Sequence, residues 1–154
     1  KAYNGRGLAK YYDGNKKDAL SDFDKAIELK PDFYSAYYSK SLLHYNDTNY
    51  KAVILDCDSA IKHNHKYKEA YDMRADAKFN LEDYWSSIED YSYALKIDWQ
   101  DDNLFFKRGI SKYKLKQYDE AIKDINKAID INSGKEIYNN YLKKVQVAAK
   151  NRGN

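Results

Sequence analysis

Between Tyr34 and Tyr67 the chain carries two helical patterns separated by a polar break. Tyr37, Ser41 and Tyr45 fall four residues apart on one stripe, and Asn46-Asp47-Thr48-Asn49 then interrupts them with turn and capping residues. Beyond the break, Ile54, Cys57, Ala60 and Ile61 define a second apolar face. The pattern predicts helix, turn, helix. It returns every 34 residues: small residues at Gly7, Ser41, Ala75 and Gly109, aromatics at Tyr3, Tyr37, Tyr71 and Phe105, and alanines at Ala26, Ala60, Ala94 and Ala128.

A hairpin of this kind cannot bury its apolar face alone, so the repetition predicts a stack in which each unit covers the next. The expected fold is all-α, an α-solenoid of four helix-turn-helix repeats at about 1–33, 34–67, 68–101 and 102–135 within one domain spanning 1–154. Asn15, Asn49 and Asp83 stand where each second helix begins and are suited to accept a first-turn amide, worth about 1 kcal/mol apiece. Gln117 holds that place in the fourth unit and is a poorer cap. The repeat breaks at Ser133-Gly134, and a capping helix is expected over about 136–150. Its apolar face is Ile137, Tyr138, Tyr141, Leu142, Val145, Ala148 and Ala149.

Basic residues also recur in register. Arg6, Lys40, Arg74 and Arg108 each precede an aspartate, Asp22, Asp56, Asp90 or Asp124, by 16 places, which predicts ion pairs between the two helices of each unit. Their recurrence in matched pairs favours internal architecture over ligand binding.

Composition narrows the function classes. With 27 basic and 24 acidic side chains interleaved, the net charge of +3 suits a solvated helical surface better than a nucleic-acid footprint, so no nucleic-acid partner is expected. No apolar run approaches the roughly 20 residues needed to cross a bilayer, so no membrane insertion is expected. The opening Lys1 lies inside a repeat unit, as in a piece of a longer chain from which targeting segments are missing; a cytoplasmic location is the expectation. Enzymatic chemistry finds no support: there is no Gly-rich phosphate loop and no nucleophile motif. His63 and His65 share a turn without converging metal ligands, and Cys57 falls on a core face. No catalytic residue, cofactor or metal is expected.

The residues resemble the tetratricopeptide repeat family, whose unit has an aromatic, a small residue and a tyrosine in its first half and alanine, an aromatic, alanine and proline in its second. The fourth unit carries this as Phe105, Gly109, Tyr118, Ala121 and Ala128, and the first as Gly7, Ala19, Phe23, Ala26 and Pro31. Departures are Val53 and Ser87 for the first alanine of the second helix, and Lys10, His44, Lys78 and Lys112 where an aromatic is usual. The resemblance implies a right-handed superhelix whose concave groove, lined by first helices, holds peptide segments of other proteins.

Carried onto the four units, that groove holds Asn4, Leu8, Tyr11 and Tyr12, then Tyr38, Leu42, Tyr45 and Asn46. It continues with Glu69, Asp72, Asp76, Phe79 and Asn80, and ends with Asn103, Phe106, Ile110, Tyr113 and Lys114. Tyr11, Tyr45, Phe79 and Tyr113 form an aromatic ladder with two readings, ligand contact or completion of helix packing at the groove edge. Glu69, Asp72 and Asp76 lie on one helix face and either attract Lys or Arg of a ligand or form a solvated acidic face.

The expected ligand is therefore a protein or peptide segment with apolar anchors and basic residues. The co-chaperone branch of the family grips acidic tails through two lysines, two asparagines and an arginine. Those places are Asn4, Leu8, Ser39, Glu69 and Met73 in one alignment and Tyr38, Leu42, Met73, Asn103 and Lys107 in the other, and neither set matches. The rival reading is a structural or oligomerising module that self-associates through end or convex faces, with Trp85 and Trp99 marking the patch.

Overall fold

The 34-residue rhythm is expressed as helices in the computed structural model, which describes residues 1–153. The described residues form nine α-helices and one short 3-10 turn. They divide into two compact units, the first spanning Lys1–Leu81 and the second running from Glu82 onward.

Unit 1 contains α1 (Ala2–Tyr12), α2 (Lys16–Leu29), α3 (Tyr34–Asn46), α4 (Tyr50–His63) and α5 (Lys68–Asn80). α1 pairs with α2 and α3 with α4; α3 also packs on α2, and α5 on α4. Small residues make these approaches close. A Cβ added to Gly7 would stand 2.6 Å from Cε1 of Phe23, so the first hairpin closes only because that side chain is absent. Its counterpart Ser41 is fully buried, and its hydroxyl donates to the Tyr38 carbonyl at 2.7 Å.

Unit 2 contains α6 (Tyr84–Ile97), α7 (Asp102–Lys114), α8 (Tyr118–Ile131) and α9 (Glu136–Lys150), followed by the 3-10 turn Asn151–Gly153. α7 packs on α6 and α8, and α9 on α8. The unusual Ser87 is fully buried and bonded to the equally buried Ser111 at 3.0 Å, so a polar pair on α6 and α7 satisfies itself where the family pattern has alanine.

Helix starts follow the capping chemistry. The side chains of Asn15, Asn49 and Asp83 accept from the amides of Asp18, Ala52 and Ser86, while Gln117 makes no such bond. Asp101 does the same for α7, accepting from Leu104 N at 3.1 Å. The turns between helices repeat as well. Gly14, Thr48, Glu82 and Lys116 occupy the same place in successive units and all have left-handed backbones, with φ of 81°, 54°, 63° and 60°. Only the first is a glycine, so the other three hold a conformation that costs an L-residue roughly 1–2 kcal/mol.

The ion pairs are partly as expected and partly redirected. Arg6 Nε donates to Asp22 Oδ2 at 2.8 Å and Arg108 Nε to Asp124 Oδ2 at 2.8 Å. Lys40 does not follow. It bonds Asp24 of α2 at 2.8 Å, and Asp56 is instead held by His44 Nδ1 at 2.7 Å. Arg74 also bonds Asp58 of α4. The basic residues that replace a family aromatic explain part of this: Lys10 and Lys112 bond Asp22 and Asp124 at 2.8 and 2.6 Å, just as His44 bonds Asp56. With Asp56 already bonded from the next turn of α3, Lys40 is released to tie α3 to α2. The consequence differs by unit. Arg6, with Lys10, holds the Asp22 carboxyl well below the usual carboxylate range, whereas burial pushes Asp56 up against the opposing effect of His44.

Candidate functional site

In unit 1 the first helices of the hairpins, α1, α3 and α5, lie side by side, and the face they share mixes partly open apolar surface with fixed polar groups. Tyr38 and Leu42, one helical turn apart on α3, are half-buried. The Tyr38 ring meets Tyr67 edge-on at 5.2 Å, and Tyr34 meets the same ring at 4.9 Å. Tyr67 precedes α5 and was not legible as a site residue, because it lies in the turn outside the helical stripe. Burial pushes its hydroxyl pKa upward, with Tyr38 and Glu69 adding to the effect, so it stays protonated and can donate.

Asn4 is nine-tenths buried, and its Oδ1 has no hydrogen-bond partner among the described residues. Leu8 and Tyr11 pack against the cluster of Ala19, Phe23 and Leu43, so they belong partly to the core. Tyr12 is exposed and meets the Tyr11 ring edge-on. On α5, Glu69 is exposed and Asp72 and Asp76 half-buried, which keeps the acidic stripe at the surface.

The aromatic ladder is tied to the scaffold. Asn46 Nδ2 donates to the Tyr11 hydroxyl, and Asn80 Nδ2 donates to the Tyr45 hydroxyl at 3.3 Å. Tyr45 also rests edge-on against Tyr50 of α4 at 5.5 Å. These rungs therefore hold neighbouring hairpins in register. The asparagines stand 35 residues after their tyrosines, one beyond the repeat, and that offset is the signal for them in the sequence.

Unit 2 departs from the expectation at Phe106, which is only 7% exposed. Its ring lies 4.4 Å from Tyr138 and 5.3 Å from Tyr141, both on α9. The reason is chain position: Tyr138 stands 34 residues after Leu104 and 68 after Ala70, and its ring covers what an alanine leaves open. Tyr138 is itself locked, donating to Asp102 Oδ2 at 2.7 Å and accepting from Lys135 at 2.9 Å, while Lys135 bonds Asp102 at 2.8 Å. Ile137, expected on the apolar face of α9, is instead exposed. Ile110 and Tyr113 remain half-buried, Tyr113 leaning on Tyr118 at 6.0 Å, and Asn103 and Lys114 are exposed. Phe79 is half-buried on α5.

Catalytic chemistry gains nothing from the geometry. Among the described residues no group of three His, Cys, Asp or Glu side chains converges as a metal site, and no helix is long and apolar enough to cross a membrane. Burial pushes the Cys57 thiol up to about 12, which suits a core hydrophobe and not a nucleophile.

Helical hairpins in strict register, with first helices offering a face and second helices bracing it, define a helical-repeat protein. Models of the family described as tetratricopeptide repeat match residues 1–33 and 103–135, and the chain is a tetratricopeptide repeat protein, of a family that serves in general for protein interaction. No curated protein sequence matches it. Among solved structures, the MamA RS-1 ArsTM double mutant matches 99% of this chain and 85% of its own with a TM-score of 0.91 at 13% identity. MamA 41-end from Desulfovibrio magneticus RS-1 matches 97% and 86% with 0.89 at 14% identity. The first TPR of Spaghetti (RPAP3), bound to the HSP90 peptide SRMEEVD, matches 75% of this chain and 91% of its own with 0.73 at 18% identity. At such identities the likeness is one of fold.

Proposed function

We propose that the chain is a non-catalytic interaction scaffold that holds a peptide segment of a partner protein against the inner face of unit 1. The observation that carries this reading is the pair Tyr38 and Leu42, one turn apart on α3, which keep part of their apolar surface in water. Glu69, exposed in the first turn of α5, biases the choice towards Lys or Arg in the ligand. The peptide-bound RPAP3 domain supports the mode of use for this fold. Its acidic peptide is not carried over, because Glu69 repels carboxylates.

Affinity is expected in the micromolar range, roughly, as for open peptide grooves. The test is panning a random-peptide library against the wild type and against Tyr38→Ala/Leu42→Ala. Enrichment of the same peptides by both proteins removes the groove reading. A second reading, self-association, has its own observation: Trp85 and Trp99 are 63% and 64% exposed in unit 2. Sedimentation velocity separates the two, since a self-associating module changes mass with concentration and Trp85→Ser/Trp99→Ser abolishes that change.

A further inference from the structure

The outer face of α6 in unit 2 carries rings where the other second helices carry polar side chains. Trp85 and Tyr93, two turns apart, stand where α2 has Lys17 and Lys25, α4 has Lys51 and Ser59, and α8 has Asp119 and Lys127. Trp99, just past the end of the helix, takes the place of Pro31, His65 and Ser133. All three rings are at least half exposed, and Ile97 on the same helix is 40% exposed. Solvated rings contribute nothing to the core of unit 2, so packing gives no reason for them.

The charges on this face say what fits it. Glu89 lies midway between Trp85 and Tyr93, Lys96 lies one turn beyond, and at 100° per residue the four side chains fall within about 80° of one another. Lys96 is steadied by its neighbour, with Nζ 4.5 Å from the Tyr93 ring centroid. No ion pair among the described residues takes up either charge. Glu89 and Lys96 are about 10 Å apart along the axis, beyond the spacing at which helix residues pair with one another.

A face with an acid on one side of its middle and a base on the other is complementary to itself turned around. Reversing α6 about the point between Ser92 and Tyr93 sets Glu89 opposite Lys96 of a second copy, and Lys96 opposite that copy's Glu89. The same operation brings the two Tyr93 side chains to the centre and sets Trp85 at the Trp99 end of the other helix.

We propose, resting on the self-association reading, that a second copy of this chain docks antiparallel on α6 across a two-fold axis, with Trp85, Tyr93 and Trp99 as its apolar centre and two Glu89–Lys96 pairs fixing direction and register. The rings offer on the order of 400 Å² per protomer, about half of a standard interface, so the dimer is weak, dissociating at roughly tens of micromolar or above. An anionic lipid surface also takes tryptophan, but Glu89 in the middle of the face repels it.

The experiment is sedimentation velocity of the whole chain from roughly 10 µM to 1 mM. The wild type is expected to rise from monomer towards dimer mass. Glu89→Lys and Lys96→Glu each set like charges against one another and are expected to raise the dissociation constant about tenfold or more. An equimolar mixture of these two variants re-forms both pairs and restores the wild-type affinity, as does Glu89→Lys/Lys96→Glu in one chain. Lys127→Glu, a charge reversal on the outer face of α8, leaves association unchanged. All these positions are solvent-exposed, so the variants fold, as helical circular dichroism verifies. A wild type that stays monomeric throughout overturns the dimer together with the self-association reading. Association that the single reversals leave intact, that the mixture fails to restore, or that Lys127→Glu weakens equally overturns the antiparallel docking alone.

Discussion

Tyr38 and Leu42 in unit 1 and Phe106 and Ile110 in unit 2 occupy the same two places of the repeat, yet they meet different surroundings. α5 carries Ala70 and Met73 at the repeat positions that α9 fills with Tyr138 and Tyr141; Tyr38 stays partly exposed, while Phe106 is buried against the two α9 rings. A repeat position therefore has no fixed role. Whether it binds or packs depends on the size of the side chain that the next helix sets against it, and α9 converts a candidate groove residue into core.

The largest expected effect tests that difference directly. Phe106→Ala should cost about 3–5 kcal/mol in chemical denaturation, and Tyr38→Ala, which is only partly buried, less, about 2 kcal/mol. Similar losses at the two positions would break the comparison. Next is the helix seam. Gly7→Ala drives a Cβ to 2.6 Å from the Phe23 ring and should destabilise unit 1 by about 1–3 kcal/mol, even after the gain in helix propensity. Gly109→Ala meets Ile125 Cγ1 only at 3.0 Å, so a smaller loss is expected in unit 2.

The clamp on α9 makes a pH-dependent prediction. Burial opposes ionisation of Asp102, but Lys135 and Tyr138 outweigh it and hold the carboxyl below its ordinary value of 3.8. A depressed folded value means stability that is present above 3.8 and lost as pH falls through the folded value. Asp102→Asn should therefore lower the thermal midpoint at neutral pH, and the gap to wild type should close in acid. A gap that stays constant into acid contradicts the clamp. The smallest effect concerns the turns: Thr48→Gly should gain about 1 kcal/mol by relieving a β-branched residue at φ 54°. Lys116→Gly should gain similarly.

Much of this was legible along the chain. The helix pairs and their caps followed from residues that act within one turn, such as Asn49 accepting from Ala52 N. Arg6 with Asp22 and Arg108 with Asp124 were legible because recurrence at 16 residues matched the hairpin geometry. The same spacing failed for Lys40, because His44 already satisfies Asp56 and Asp24 of the preceding helix lies within reach. The candidate site was read less completely. Tyr67 lies in a turn where helical projection does not apply, and Tyr138 and Tyr141, which cover Phe106, belong to a helix outside the repeat pattern.

Sequence periodicity alone established the helical hairpins, their stacking seams of glycine, alanine and serine, and the absence of the family's clamp for acidic tails, since each rests on spacing or residue type. Burial and charge pairing were decided only in three dimensions. They depend on what an adjoining helix brings to within a few ångströms, as Tyr138 does for Phe106 and Lys144 for Tyr113, and a 34-residue repeat does not encode how its own last unit is covered.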